Sequence, residues 1–227
     1  DGGEIIFDGT DLLKLSESNM RKIRGKKISM IFQEPMTSLN PVFRIGSQIE
    51  ETLKIHGSLS GSEAKDKVID LLNEVGIKNP KDRYMSYPHE LSGGQRQRVM
   101  IAMSIACQPQ LLIADEPTTA LDVTTQGQIL ELLQGLQDKY GMSILFITHD
   151  LAVIGDIADE VIVMYKGKLV EQGEKAEIFR SPGHPYTKGL INCRPKAGQA
   201  TRRLAMVSDF MNENFEEKKF DYESLGV

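Results

Sequence analysis

The sequence predicts an α/β fold built on a mostly parallel sheet, and three observations carry this. "LLIAD" (111–115) and "SILFIT" (143–148) are continuously apolar runs. Between them, "TTQGQILELLQGLQDKYG" (124–141) repeats apolar residues at helical spacing and ends at glycine. Apolar strands alternating with helices mark a parallel sheet covered on both faces. Third, two carboxylates, Asp115 and Glu116, follow the first of these strands directly. In open α/β sheets, ligands bind beyond the carboxyl ends of the strands.

Along the chain, "EIIFDG" (4–9) and "KKISMIF" (26–32) read as strands, being short, Ile/Phe-rich and closed by turn formers. A more helical middle follows. Ser60 and Glu63 have capping-box spacing, and Val68, Leu71, Leu72 and Val75 recur at helical spacing until Gly76. "NPKDRYMSYP" (79–88) reads as a loop from its proline and polar content. Ser92 to Cys107 reads as a second helix with Val99, Met103 and Ala106 on one stripe. After the two apolar strands, "LAVIGDIAD" (151–159) is a short helix with Asp150 as N-cap. "EVIVMY" (160–165) and "KLVEQG" (168–173) are strands joined by a tight Lys166-Gly167 turn. The pattern is lost over 194–227, and the acidic stretch "NENFEEKKFDYESLGV" reads as a mobile tail.

Composition narrows the function classes. A formal charge of −5 and a pI near 5.5 leave no basic footprint, so nucleic acid is not the expected partner. The cluster "RKIRGKK" (21–27) reads as a solvated face. Two cysteines, Cys107 and Cys193, exclude a disulfide framework and a self-contained Cys-based zinc or iron–sulfur site, and fit a reducing compartment. The longest mostly apolar run, "VMIAMSIAC" (99–107), is too short to cross a bilayer. The expected location is cytoplasmic, which is compatible with docking onto a membrane protein.

The chemistry-bearing residues sit at strand ends. An aspartate such as Asp115 can hold Mg²⁺, an ion that prefers a few carboxylates plus phosphate oxygens. A glutamate beside it, Glu116, can orient and deprotonate an attacking water. His149, at the end of "SILFITHD", can contact a γ-phosphate or that water, and Gln33, at the end of "MIFQ", can ligate Mg²⁺ or position water. Each alone is equally an ordinary polar residue. "HELSGGQRQR" (89–98) places Ser92, Gly93, Gly94 and Gln95 just ahead of an apolar helical run, where exposed backbone N–H groups form a phosphate cradle.

Taken in order, Gln33, "LSGGQ" (91–95), "LLIADE" (111–116), "ALD" (120–122) and His149 resemble the nucleotide-binding domain of ABC transporters, up to about residue 190. That resemblance implies a P-loop NTPase-like (RecA-like) fold with an inserted helical subdomain. The implied division is a partial core with the Q-loop (1–40) and the helical subdomain ending in the signature helix (41–107). The RecA-like core (108–176) and a C-terminal extension (177–227) complete it. It also implies roles: Gln33 as the Q-loop glutamine, and Ser92, Gly93, Gly94 and Gln95 as the signature motif. Asp115 would be the Walker B aspartate holding Mg²⁺, Glu116 the catalytic glutamate, Asp122 the D-loop aspartate and His149 the switch histidine. The signature residues and Asp122 would face ATP bound by a second ABC ATPase subunit, paired head to tail as a homodimer or heterodimer.

"QEPMTSLNPVFRIGSQI" (33–49) and "SPGHPYTKGL" (181–190) resemble the peptide/nickel permease branch, the ATPases of dipeptide and oligopeptide importers. Expected partners are therefore transmembrane permease subunits and, indirectly, an extracytoplasmic solute-binding protein. The expected site is the cytoplasmic face of the inner membrane, held peripherally. That branch often carries a cysteine-rich segment here, whereas "INCRPKAGQATRRLAMVSDF" has one cysteine.

No G-x-x-x-x-G-K-[ST] pattern occurs in the 227 residues. In the family, the Walker A loop precedes the stretch matched by "GEIIFDGTDLL", so the chain reads as N-terminally truncated. Alone, it is expected to bind ATP weakly, to hydrolyse it negligibly, and to expose a sheet edge at low stability. Two other readings stay open: a soluble ABC ATPase acting without membrane subunits, and a non-catalytic fragment that lends only its signature motif.

Overall fold

The computed structural model describes residues 2–33, 38–57, 59–119 and 121–193. The expected C-terminal tail, the residues just after Gln33 and Ala120 of "ALD" lie outside them. The chain packs as two units, Asp1–Ile147 and Thr148–Val227.

The first unit begins with a short antiparallel hairpin, β1 (Ile6–Phe7) and β2 (Thr10–Asp11). "EIIFDG" therefore yields only two strand residues. Asp8 and Gly9, both at positive φ, turn the chain back at once. Helix α1 (Glu17–Ile23) had no apolar signal because it buries no residue, and it is held by Ser16 at its N-cap. Next come β3 (Ile28–Ile31), α2 (Ile45–His56) and α3 (Gly61–Glu74). Ser60 is the N-cap of α3, yet its side chain makes no capping bond, so the capping box expected with Glu63 does not form. The 79–88 stretch is not all loop, since Pro80 opens a single turn, α4 (Pro80–Arg83).

Helix α5 (Gly93–Ile105), β4 (Leu111–Asp115), α6 (Val123–Tyr140) and β5 (Ser143–Ile147) complete the unit. As its sequence demands, α6 ends where Gly141 turns left-handed at φ 62°. Strand order is β3-β4-β5, all parallel, with Ile31 opposite Ala114 and Asp115 opposite Ile147. One core joins Ile45, Ile49 and Leu53 of α2 with Val68, Leu71 and Leu72 of α3, Val99, Ile101 and Ile105 of α5, Leu112, and Ile129 and Leu133 of α6. The helical repeat read from 68–75 is thus the buried stripe.

Coverage of both sheet faces is not what the described residues show. Leu112, Ala114 and Ile31 are buried, but Leu145 and Ile147 on the opposite face remain 47% and 44% exposed. The alternating burial of β5 follows from its register, which sends Ile144 and Phe146 to the core and their neighbours away from it. Among the described residues no helix is long and apolar enough to cross a membrane.

In the second unit, α7 (Leu151–Ile157) starts at Asp150, whose carboxylate accepts the Ala152 N–H at 2.8 Å. Strands β6 (Glu160–Tyr165) and β7 (Lys168–Glu174) form an antiparallel hairpin across Lys166-Gly167, both at positive φ. Two helices follow, α8 (Lys175–Arg180) and α9 (Pro185–Asn192). The "SPGHPY" stretch has a local physical account. Glu171 accepts the N–H groups of Gly183 and His184, at 2.5 and 3.1 Å. His184 Nδ1 accepts the Tyr186 N–H at 3.0 Å, which caps α9 and requires an unprotonated nitrogen. Burial lowers the pKa of His184 accordingly.

Candidate functional site

Register builds the site. Because Ile31 lies opposite Ala114, the residues two further along each parallel strand, Gln33 and Glu116, emerge side by side at the carboxyl edge. Gln33 Nε2 donates to Glu116 Oε2 at 2.8 Å, across 83 positions of sequence. Thr119 Oγ1 donates to the same oxygen at 2.9 Å. Glu116 holds a left-handed backbone at φ 44°, and its N–H donates to the Ile147 carbonyl at 2.9 Å. A non-glycine residue in that region is strained, and such strain persists where surrounding bonds over-determine it. Asp115, the last residue of β4, is half-buried beside it.

A second cluster lies at the start of α5. Ser92 Oγ accepts the Gln95 N–H at 3.3 Å, and Gln95 Oε1 accepts the Ser92 N–H at 3.0 Å, a capping box inside the signature stretch. Asp122 caps α6, accepting the Thr125 N–H at 2.9 Å and the Thr125 hydroxyl at 2.7 Å. These bonds, the backbone N–H of Thr125 foremost, hold its carboxyl below the usual carboxylate range. Ser92, Gly93, Gly94 and Gln95 share an open hollow of about 410 Å³ with Asp122 and Thr125. Sequence reasoning placed the signature residues and Asp122 here but missed Thr119 and Thr125. Their signal was positional, a hydroxyl three residues after a candidate carboxylate in each case.

His149 opens the second unit, exposed, between Thr148 and the helix-capping Asp150. Thus the first unit brings together Gln33 and Glu116 in one cluster, and the signature residues and Asp122 in another. A larger hollow, about 650 Å³, is lined by Arg21, Lys22, Arg24, Lys26, Ile55 and His56. Residues 21–26 precede β3, whereas Gln33 follows it, so this hollow is at the other end of the strand from the carboxylates.

Gly94 has a steric reason. A Cβ there would stand 2.7 Å from Thr125 Cγ2, and the Thr125 side chain cannot swing away without breaking its hydroxyl bond to Asp122. Gly94→Ala is therefore expected to destabilise the first unit by about 1–3 kcal/mol, the cost of overpacking. Thr125→Ser removes only the offending methyl, so the double variant should recover most of the loss. Thermal unfolding of both variants checks this, and an undiminished loss in the double variant would refute it.

The donor set suits Mg²⁺. The Asp115 carboxylate and the Gln33 amide oxygen are hard oxygen donors on paired strands, and this ion takes few protein ligands. Among the described residues no group of three or more His, Cys, Asp or Glu side chains could hold a metal by itself.

Residues 1–119 match the "ABC transporter" family model, and residues 170–216 match "Oligopeptide/dipeptide transporter, C-terminal region". The chain is 57% identical over 193 residues to the oligopeptide transport ATP-binding protein OppD of Bacillus subtilis, covering 85% of this chain and 54% of the relative. It is 53% identical over 202 residues to the dipeptide transport ATP-binding protein DppD of Escherichia coli, covering 89% of this chain and 62% of the relative. The chain thus spans rather more than half the length of these relatives. Among solved structures, it resembles the ATP-binding cassette MJ0796 in a dimeric post-hydrolysis state bound to ADP and Pi. The TM-score is 0.67 at 30% identity, over 76% of this chain and 73% of that one.

Proposed function

The chain belongs to the ABC transporter family of ATP-binding proteins, and from that premise we propose that it serves as the ATP-hydrolysing subunit of a peptide importer. The observation that carries this reading is the pairing of Gln33 with Glu116 at the edge of a parallel sheet, 2.8 Å apart. Glu116 takes a proton from water. The water oxygen bonds to the γ-phosphorus, the bond to the β–γ bridging oxygen breaks, and ADP leaves with phosphate formed. Asp115 and Gln33 hold Mg²⁺, which supplies charge neutralisation at the phosphates when bound. His149 contacts the γ-phosphate or the attacking water.

Ser92, Gly93, Gly94, Gln95 and Asp122 face ATP held by a second subunit, paired head to tail. The dimeric state of the similar cassette supports that pairing, as does a hollow open at the signature helix start. Closure of the pair is passed to permease subunits near the Q-loop, with the protein held peripherally at the cytoplasmic face of the membrane. The match over 170–216 supports peptides as the solute class. The test is ATP-driven uptake of labelled di- and oligopeptides into vesicles carrying the assembled transporter. ATP-dependent accumulation is expected. Co-purification with nucleic acid in place of membrane subunits, without uptake, would overturn the reading.

A further inference from the structure

We propose that Thr119 is a positioning residue that fixes the carboxylate of Glu116 for proton abstraction, an inference resting on Glu116 as general base. Thr119 grips Glu116 twice: its hydroxyl donates to Oε2 at 2.9 Å and its N–H to the Glu116 carbonyl at 3.3 Å. Both bonds are local, three residues apart, and survive whatever distant elements do. Another donor to Oε2, the Gln33 amide, arrives from just beyond a different strand. Gln33 is also the residue whose amide oxygen would hold the metal, so its side chain serves two roles. The two Thr119 bonds need no distant strand to be in place, whereas the Gln33 bond does.

The backbone of Glu116, at φ 44°, is held by its N–H bond to the Ile147 carbonyl, and its side chain is placed by bonds of its own. The side chain of Thr119 is exposed, so it is not needed to fill the core, and its replacement tests the hydroxyl alone.

The experiment compares Thr119→Val, which keeps the shape and loses the donor, with Thr119→Ser, which keeps the donor. Both are measured in the assembled transporter with ATP. Loss of one bond to a charged acceptor predicts a kcat about tenfold lower for Thr119→Val, with KM, nucleotide affinity and unfolding temperature unchanged. Thr119→Ser should stay within about twofold of the parent on the same grounds. Parental kcat in Thr119→Val, or equal losses in Val and Ser, would overturn the proposal. Glu116→Gln distinguishes the two failures: if it abolishes turnover while Thr119→Val is silent, the base reading stands and only the positioning role falls.

Discussion

Replacing Glu116 by glutamine in the assembled transporter is expected to lower kcat for ATP hydrolysis by roughly 10²–10⁴-fold, the usual contribution of a positioned general base. The substitution is nearly isosteric. The glutamine oxygen still accepts from Thr119 Oγ1 and Gln33 Nε2, which lie 2.9 and 2.8 Å from Oε2. The backbone bond from residue 116 to the Ile147 carbonyl does not involve the side chain. What is lost is the capacity to accept a proton from water, an interaction made only along the reaction path. KM and nucleotide affinity should therefore hold while kcat falls. Single-turnover hydrolysis and equilibrium nucleotide binding separate these quantities. A variant turning over within tenfold of the parent would remove Glu116 from the role of base, and peptide uptake should fall in step with hydrolysis if the two are coupled.

Why the two carboxylates were legible in the sequence, while their helpers were not, has a physical explanation. A run such as "LLIAD" carries its own direction: five residues bury or half-bury, and the acids must follow at the end where the chain leaves the sheet. The signature stretch was likewise a local pattern at a helix start, whereas Asp122 came only from the family resemblance of "ALD". Gln33 was readable as a strand-end residue, but its partner depended on the register Ile31↔Ala114, which only tertiary packing of α5 and β4 around one core decides. Short apolar patterns failed in both directions. "EIIFDG" promised a strand and gave two residues, while α1, with no buried stripe, gave no periodic signal at all. Ser60 had the spacing of a capping box, yet its hydroxyl does not close one; Ser92 with Gln95 does. Spacing proposes such pairs, and side-chain orientation at the helix start selects among them.

Gly46→Ala is expected to be the most damaging single methyl in the helical part of the first unit, although an isolated helix would favour the alanine. A Cβ at residue 46 would stand 2.3–2.5 Å from three atoms of the Tyr84 ring. The ring has little room to yield. Its hydroxyl donates to Glu50, which also pairs with Lys54 at 2.9 Å, and Lys65 Nζ lies 5.4 Å from its centroid. Burial, and then the bond to Glu50, push the phenol up to about 12, so it stays a donor across the physiological range. Backbone bonds close the vice: Gly46 N–H donates to the Tyr84 carbonyl at 3.0 Å and Ile45 N–H to that of Ser86 at 2.9 Å. Backing residue 84 away therefore strips the first turn of α2 of its partners, and swinging the ring alone breaks its bond to Glu50. Overpacking at the upper end of its usual range, about 3 kcal/mol, less the roughly 1 kcal/mol that alanine gains over glycine in a helix, predicts a net loss of about 2 kcal/mol. For a domain of this size that is a fall in Tm of roughly 4–8 °C. Tyr84→Ala supplies the control, because without the ring the same methyl meets no obstacle and should be neutral or stabilising. A loss of equal size in both backgrounds would show that the close approach to Tyr84 is not what keeps residue 46 a glycine.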